Sequence, residues 1–150
     1  MGIAELRLRL PAHIQTNRVS EVLGGPTAPW LGERLPDDDS GRRRFSCDLQ
    51  LRVAPDRHVL FRKSAIVSLG DPRTEGDGWL VPIEWRAASL APLFPVLVGV
   101  LRLMPGHVEI DGCYAPPFGL LGYLADRFVL YAAARGTARW FLGTVASALV

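Results

Sequence analysis

Residues 96–115 read VLVGVLRLM-PG-HVEIDGCYA, and this stretch decides the fold. Two runs of alternating character flank Pro105-Gly106, a turn-forming dipeptide. An even-length hairpin loop centred there sets Leu103 opposite Val108, Leu101 opposite Ile110, Gly99 opposite Gly112 and Leu97 opposite Tyr114. These residues then share one face. On the other face Arg102 meets Glu109, an opposite-charge pair of the stabilising kind. One register explains both faces. Gly99 opposite Gly112 leaves a thin spot in the sheet, where a bend or a large neighbouring side chain fits.

Upstream the same period of two recurs. Ile3 to Leu10 places Ala4, Leu6, Leu8 and Leu10 on one face and Glu5, Arg7 and Arg9 on the other, a half-buried strand closed by Pro11. Arg44 to Val53 alternates most cleanly, with Phe45, Cys47, Leu49, Leu51 and Val53 together. His58 to Leu69 follows a turn at residues 54–57. Trp79 to Ala87 comes after a loop at residues 70–78, and its Pro82 predicts an edge or a bulge. Two short helices are expected between the first two strands, at His13 to Leu23 and Ala28 to Leu35, stopped by Gly24-Gly25-Pro26 and by Pro36.

Downstream lies a long apolar helix, from about Gly119 to Val150. The first 86 residues carry 25 charged side chains and the last 64 only seven. A helix apolar on nearly every side must be covered on more than one. Arg135 and Arg139, four apart, mark its solvent side. Asp126, near its start, is placed to favour the macrodipole.

A chain of 150 residues fits a single domain over 1–150. The longest uncharged run, Ala87 to Leu101, has 15 residues and two prolines. That is too short to span a bilayer, which takes about 20 apolar residues. No signal peptide is recognisable. Cys47 and Cys113 form no ligand or redox spacing, so they read as buried or half-buried free thiols in a reducing, cytoplasmic setting. Arg42-Arg43-Arg44 follows Asp37-Asp38-Asp39, which largely cancels it. No uncompensated basic face for nucleic acid results.

The element order is strand, two short helices, further strands and a long helix. It predicts an α+β fold, a curved antiparallel sheet with a helix across it. This order resembles the helix-grip fold of the START-like, or SRPBCC, superfamily. That superfamily includes the birch-pollen allergens, lipid-transfer START domains and polyketide aromatase/cyclases. The stretch Gly112-Cys-Tyr114-Ala-Pro116-Pro117-Phe-Gly119-Leu-Leu-Gly122, followed by Asp126, is similar to a Gly-x-Tyr-x-Pro-Pro-x-Gly junction in uncharacterised bacterial members. The resemblance implies six to seven strands wrapped around the C-terminal helix and a hydrophobic ligand held between them. It carries over no catalytic signature and no cofactor.

The cavity candidates are Phe61, Lys63, Trp85, Leu97, Leu101, Ile110, Tyr114, Leu124, Phe128 and Tyr131. By alternation Lys63 lies with Val59, Phe61, Ala65 and Val67. A lysine in a desolvated pocket has a lowered pKa and can act as a base or Schiff-base amine. A two-residue turn at Pro55-Asp56 would instead turn Leu60 and Arg62 inward, and both parities stay open. The Tyr114 phenol can orient a polar ligand end or bond the backbone. His107, Glu109 and Asp111 share one strand face. Alternate positions stand about 7 Å apart and converge poorly on one ion, so no metal site is expected. No catalytic elbow, phosphate loop or dinucleotide fingerprint is present.

Three functions fit these residues. The first is binding of a small hydrophobic molecule, lipid or polyketide-like, between sheet and helix. The second is a cyclase or dehydratase using the same cavity through Lys63 or Tyr114. The third is a protein-interaction module or homodimer with a filled core, in which a partner covers Val129, Gly136, Trp140 and Gly143 of the helix.

Overall fold

A computed structural model describes residues 4–37, 39–51, 61–88, 96–115 and 127–150. For residues 50, 51, 61–63 and 127–133 it describes the backbone alone. The sequence-based expectations at residues 52–60, 89–95 and 116–126 lie outside the described residues.

The chain begins with β1 (Ala4–Pro11), a 3-10 turn (Thr16–Arg18) and α1 (Val19–Gly24). There follow β2 (Glu33–Arg34), β3 (Arg43–Leu51), β4 (Phe61–Leu69), β5 (Arg73–Glu75), β6 (Gly78–Ala87), β7 (Val96–Met104) and β8 (His107–Ala115). The last element is α2 (Arg127–Ala148). The strands form one antiparallel sheet ordered β1-β8-β7-β6-β4-β3-β2, with β5 alongside β6. The fold is α+β, as expected, with eight strands among the described residues rather than six or seven; the short β2 and β5 make the difference.

The β7–β8 register agrees with the sequence reading: Leu103↔Val108, Leu101↔Ile110, Gly99↔Gly112, Leu97↔Tyr114 and Arg102↔Glu109. The inward residues Leu97, Leu101, Leu103, Val108, Ile110 and Tyr114 are all buried. Leu6 and Leu8 of β1 join them, as do Phe45, Cys47 and Leu49 of β3.

Pro82 lies inside β6 and opposite Val100. Its carbonyl accepts the Gly70 N–H at 2.8 Å. The N–H and C=O of one strand residue point to the same edge. The donor that proline lacks therefore falls where the chain leaves β4 for β5, and no ladder bond is lost.

The second short helix does not form. Leu31 and Gly32 donate to the Ala28 carbonyl at 2.9 and 3.0 Å, a single turn, and the chain then extends into β2. Gly32 accounts for the change. A Cβ there would run into the Ser46 carbonyl of β3, an approach only glycine permits. The first helix is shorter than His13–Leu23, and Arg43 closes its end. The Arg43 guanidinium donates to Leu23 O at 2.7 Å, Gly25 O at 2.8 Å and Gly70 O at 2.7 Å. These bonds satisfy carbonyls that a helix end leaves orphaned. Burial lowers the Arg43 pKa; Asp71 opposes that shift and Arg34 adds to it.

Helix α2 packs against β1, β8 and β3. Between β1 and β3 lie five inter-strand steps. At about 4.8 Å each, a flat sheet would hold them about 24 Å apart, while a helix is only about 10 Å across. The sheet must therefore curve to bring both of its sides to the helix. Ala134, Ala138, Phe141, Leu142, Val145 and Leu149 are buried along α2, and Arg135 and Arg139 are half-buried. The C-terminal end of α2 is tied to the hairpin end of the sheet. Gln15 N–H donates to Leu149 O at 2.8 Å, and Ala12 and Ile14 donate to Gly106 O and Pro105 O at 3.1 and 3.3 Å. No helix among the described residues is long and apolar enough to cross a membrane.

Candidate functional site

The interior between sheet and α2 is built by strand alternation. Cross-strand pairing sets Ala4, Tyr114, Leu97, Trp85, Val67 and Phe45 in one inward row. Above that row stands Phe141 of α2. Its ring lies 5.2 Å from that of Trp85 and 6.5 Å from that of Trp30, tilted to both. Such offsets suit the aromatic quadrupole. Trp30 Nε1 donates to Val22 O at 3.1 Å, fixing the indole over α1. Trp30 is absent from the sequence candidates because it falls in the stretch read as a helix. Only its aromatic character beside Pro29 and Leu31 could have drawn attention to it.

Trp85, Leu97, Leu101 and Ile110 are inward and no more than 1% exposed. Tyr114 joins them at 7%. The structure thus brings five candidates onto one continuous inner surface. Phe61 and Lys63 stand on β4 opposite Leu51 and Leu49, and Phe128 and Tyr131 lie in α2; their side chains are outside the described residues. Leu124 lies outside them altogether. The described polar side chains buried in this interior are Tyr114, Thr137 and the Cys47 thiol. Burial, with a smaller contribution from Asp48, pushes the Cys47 thiol up to about 12. The group is neutral at physiological pH and is no nucleophile there. Cys113 is exposed on the outer face, not buried or half-buried as the sequence reading expected.

The outer face carries an open depression of about 520 Å³, lined among others by Arg9, Arg102, Met104, His107 and Glu109. Glu109 is only 7% exposed, although it lies on the face opposite the core. Arg9 and Arg102 cover it, with ion-pair separations of 3.7 and 3.9 Å. Arg102 bonds Glu75 of β5 more closely, at 2.8 Å. Arg7 bonds Asp111 at 3.0 Å. Acids and guanidiniums thus alternate across β1, β8, β7 and β5 and balance in number. No group of three or more metal-ligating side chains is found among the described residues.

No protein-family model, curated protein or solved structure matches this chain.

Proposed function

We propose that this chain is a START-like, helix-grip domain that binds one small hydrophobic molecule between its sheet and its C-terminal helix. The observation carrying this reading is the contact of α2 with strands from both sides of the sheet, β1 and β8 on one and β3 on the other. A curved sheet held around one helix encloses apolar space that a ligand can share. Trp30, Trp85 and Phe141 already fill the interior over the β6 and β3 side of the inward row. The proposed ligand space therefore lies towards the β8 and β1 side of that row, beside Leu97 and Tyr114. The described walls there are apolar, which suits an uncharged ligand with at most one or two hydrogen-bonding groups.

Solvent extraction of the purified protein followed by mass spectrometry tests the proposal, together with titration of a fluorescent fatty-acid probe. A saturable one-to-one site is expected. Leu97→Phe should weaken it about tenfold, a loss of about 1.4 kcal/mol. Lys63→Ala then reports whether that amine serves the site. No extracted ligand and no saturable titration would remove the proposal.

One observation favours a second reading, a filled core with a structural or partner role. Trp85, Leu97, Leu101 and Ile110 are sealed from water by the protein itself. Under this reading the probe does not bind and Leu97→Phe acts only on stability, through overpacking. The cyclase or dehydratase alternative would rest on the inward Tyr114 and on Lys63, which stands opposite the buried Leu49.

A further inference from the structure

We propose that β1 is an interface strand, pairing antiparallel with β1 of a second copy of this chain so that two sheets become continuous. Strand β1 ends the strand order, and among the described residues nothing pairs with its outward edge. The direction of its backbone groups follows from its hydrogen bonds. Ala12 N–H reaches Gly106 O beyond the end of β8. Even-numbered residues of this strand therefore point their backbone groups at β8. Glu5, Arg7 and Arg9 point theirs outward, and Pro11, which has no N–H, stands at an outward position.

An unpaired edge this long is a template for another strand. Charges that repel a copy of themselves would block such pairing, but these do not repel in every register. A two-fold centred on Leu6 sets Glu5 against Arg7 of the second copy, and Arg7 against its Glu5. Both couples exchange backbone hydrogen bonds through groups that point outward. On the inner face Leu6 then meets Leu6, and Ala4 meets Leu8. The neighbouring registers that join outward groups oppose like charges. Centring on Glu5 opposes Glu5 to itself, centring on Arg7 opposes Arg7 to itself even as it couples Glu5 with Arg9, and centring on Leu8 opposes Arg7 to Arg9. Centres nearer either end pair only a short piece of β1. Like charges directly opposite are destabilising, so the Leu6 register is favoured. It also extends an existing row: Arg7 bonds Asp111 at 3.0 Å within its own chain, and Glu5 of the second copy supplies the acid on its other flank. Arg7 is 72% exposed on its side chain, so it is open to that contact. This interface differs from the helix side considered in the sequence reading.

Sedimentation equilibrium of the full chain at low salt tests the proposal. A weak dimer is expected, since the contact is small, loosening as salt screens the charge pairs. Glu5→Arg and Arg7→Glu should each raise the dimer dissociation constant at least tenfold. Mixing the two variants should restore association, because positions 5 and 7 then carry arginine on one edge and glutamate on the other. If Arg7→Glu loses its fold with its Asp111 bond, Glu5→Pro replaces it. That change removes an outward N–H, spares the β8 ladder, and should also abolish the dimer. A wild type that stays monomeric at millimolar concentration overturns the proposal. So does a dimer that tolerates each single reversal or gains nothing from mixing them.

Discussion

Cys47 shows how a side chain's chemistry follows from its parity in a strand. Alternation along β3 turns it inward, and burial keeps its thiol neutral. Under native conditions at pH 8, one thiol per chain should react with a disulfide reagent, the exposed Cys113, and the second only after denaturant is added. The same shift makes stability depend on pH. The folded pKa, about 12, lies above the ordinary 9.0. The folded state thus holds its proton longer, and stability is complete below pH 9 and falls between 9 and 12. The slope attributable to Cys47 is up to about 1.4 kcal/mol per pH unit. Urea midpoints of wild type and Cys47→Ala should diverge from their neutral-pH difference only in that window. The inward set Leu97, Leu101, Ile110 and Tyr114 was legible from alternation, which depends on neighbours in sequence. The burial of Glu109 was not, because Arg9 comes from a strand far away in the chain and Glu75, which draws on Arg102, from another.

Elements were legible where local pattern and partner agreed. The β7–β8 hairpin is contiguous, so its turn fixes its register, and Gly99 falls opposite Gly112. A Cβ on Gly112 would stand 2.5 Å from Val98 O and 2.8 Å from the Gly99 Cα. Gly112→Ala should therefore push the strands apart and destabilise the protein by about 1–3 kcal/mol, read as a fall in the urea midpoint. Gly106→Ala, with open space at that position, is the control and should cost little. The stretch Ala28–Leu35 escapes its local pattern because its outcome is decided elsewhere. Gly32 meets the backbone of β3 at Ser46, and no helical or extended period within the segment records that approach.

At the scale of the molecule, the α+β class and the covering of the last helix followed from sequence, since the apolar excess of the C-terminal third had to be buried. What the sequence could not supply was how the interior is shared between aromatic side chains and open space. Phe141 is the test. It touches both Trp30 and Trp85, so Phe141→Ala should cost about 3–5 kcal/mol and shift the tryptophan emission to longer wavelength. If the void it leaves joins a ligand space, the same variant should accept a bulkier probe than the wild type does.

The sheet order also sets a timetable. Ala4 pairs with Tyr114 and Pro11 with His107, so the first of the described strands to be made waits for the last of them. Local contacts close quickly, whereas distant ones first bear the entropy of a long loop. During synthesis the middle strands can pair with their successors as they emerge. β1, with its leucines, stays uncovered until β8 has left the ribosome. Closure of that seam is then a late event in folding, and the alternating charges Glu5, Arg7 and Arg9 keep the waiting strand soluble until it occurs.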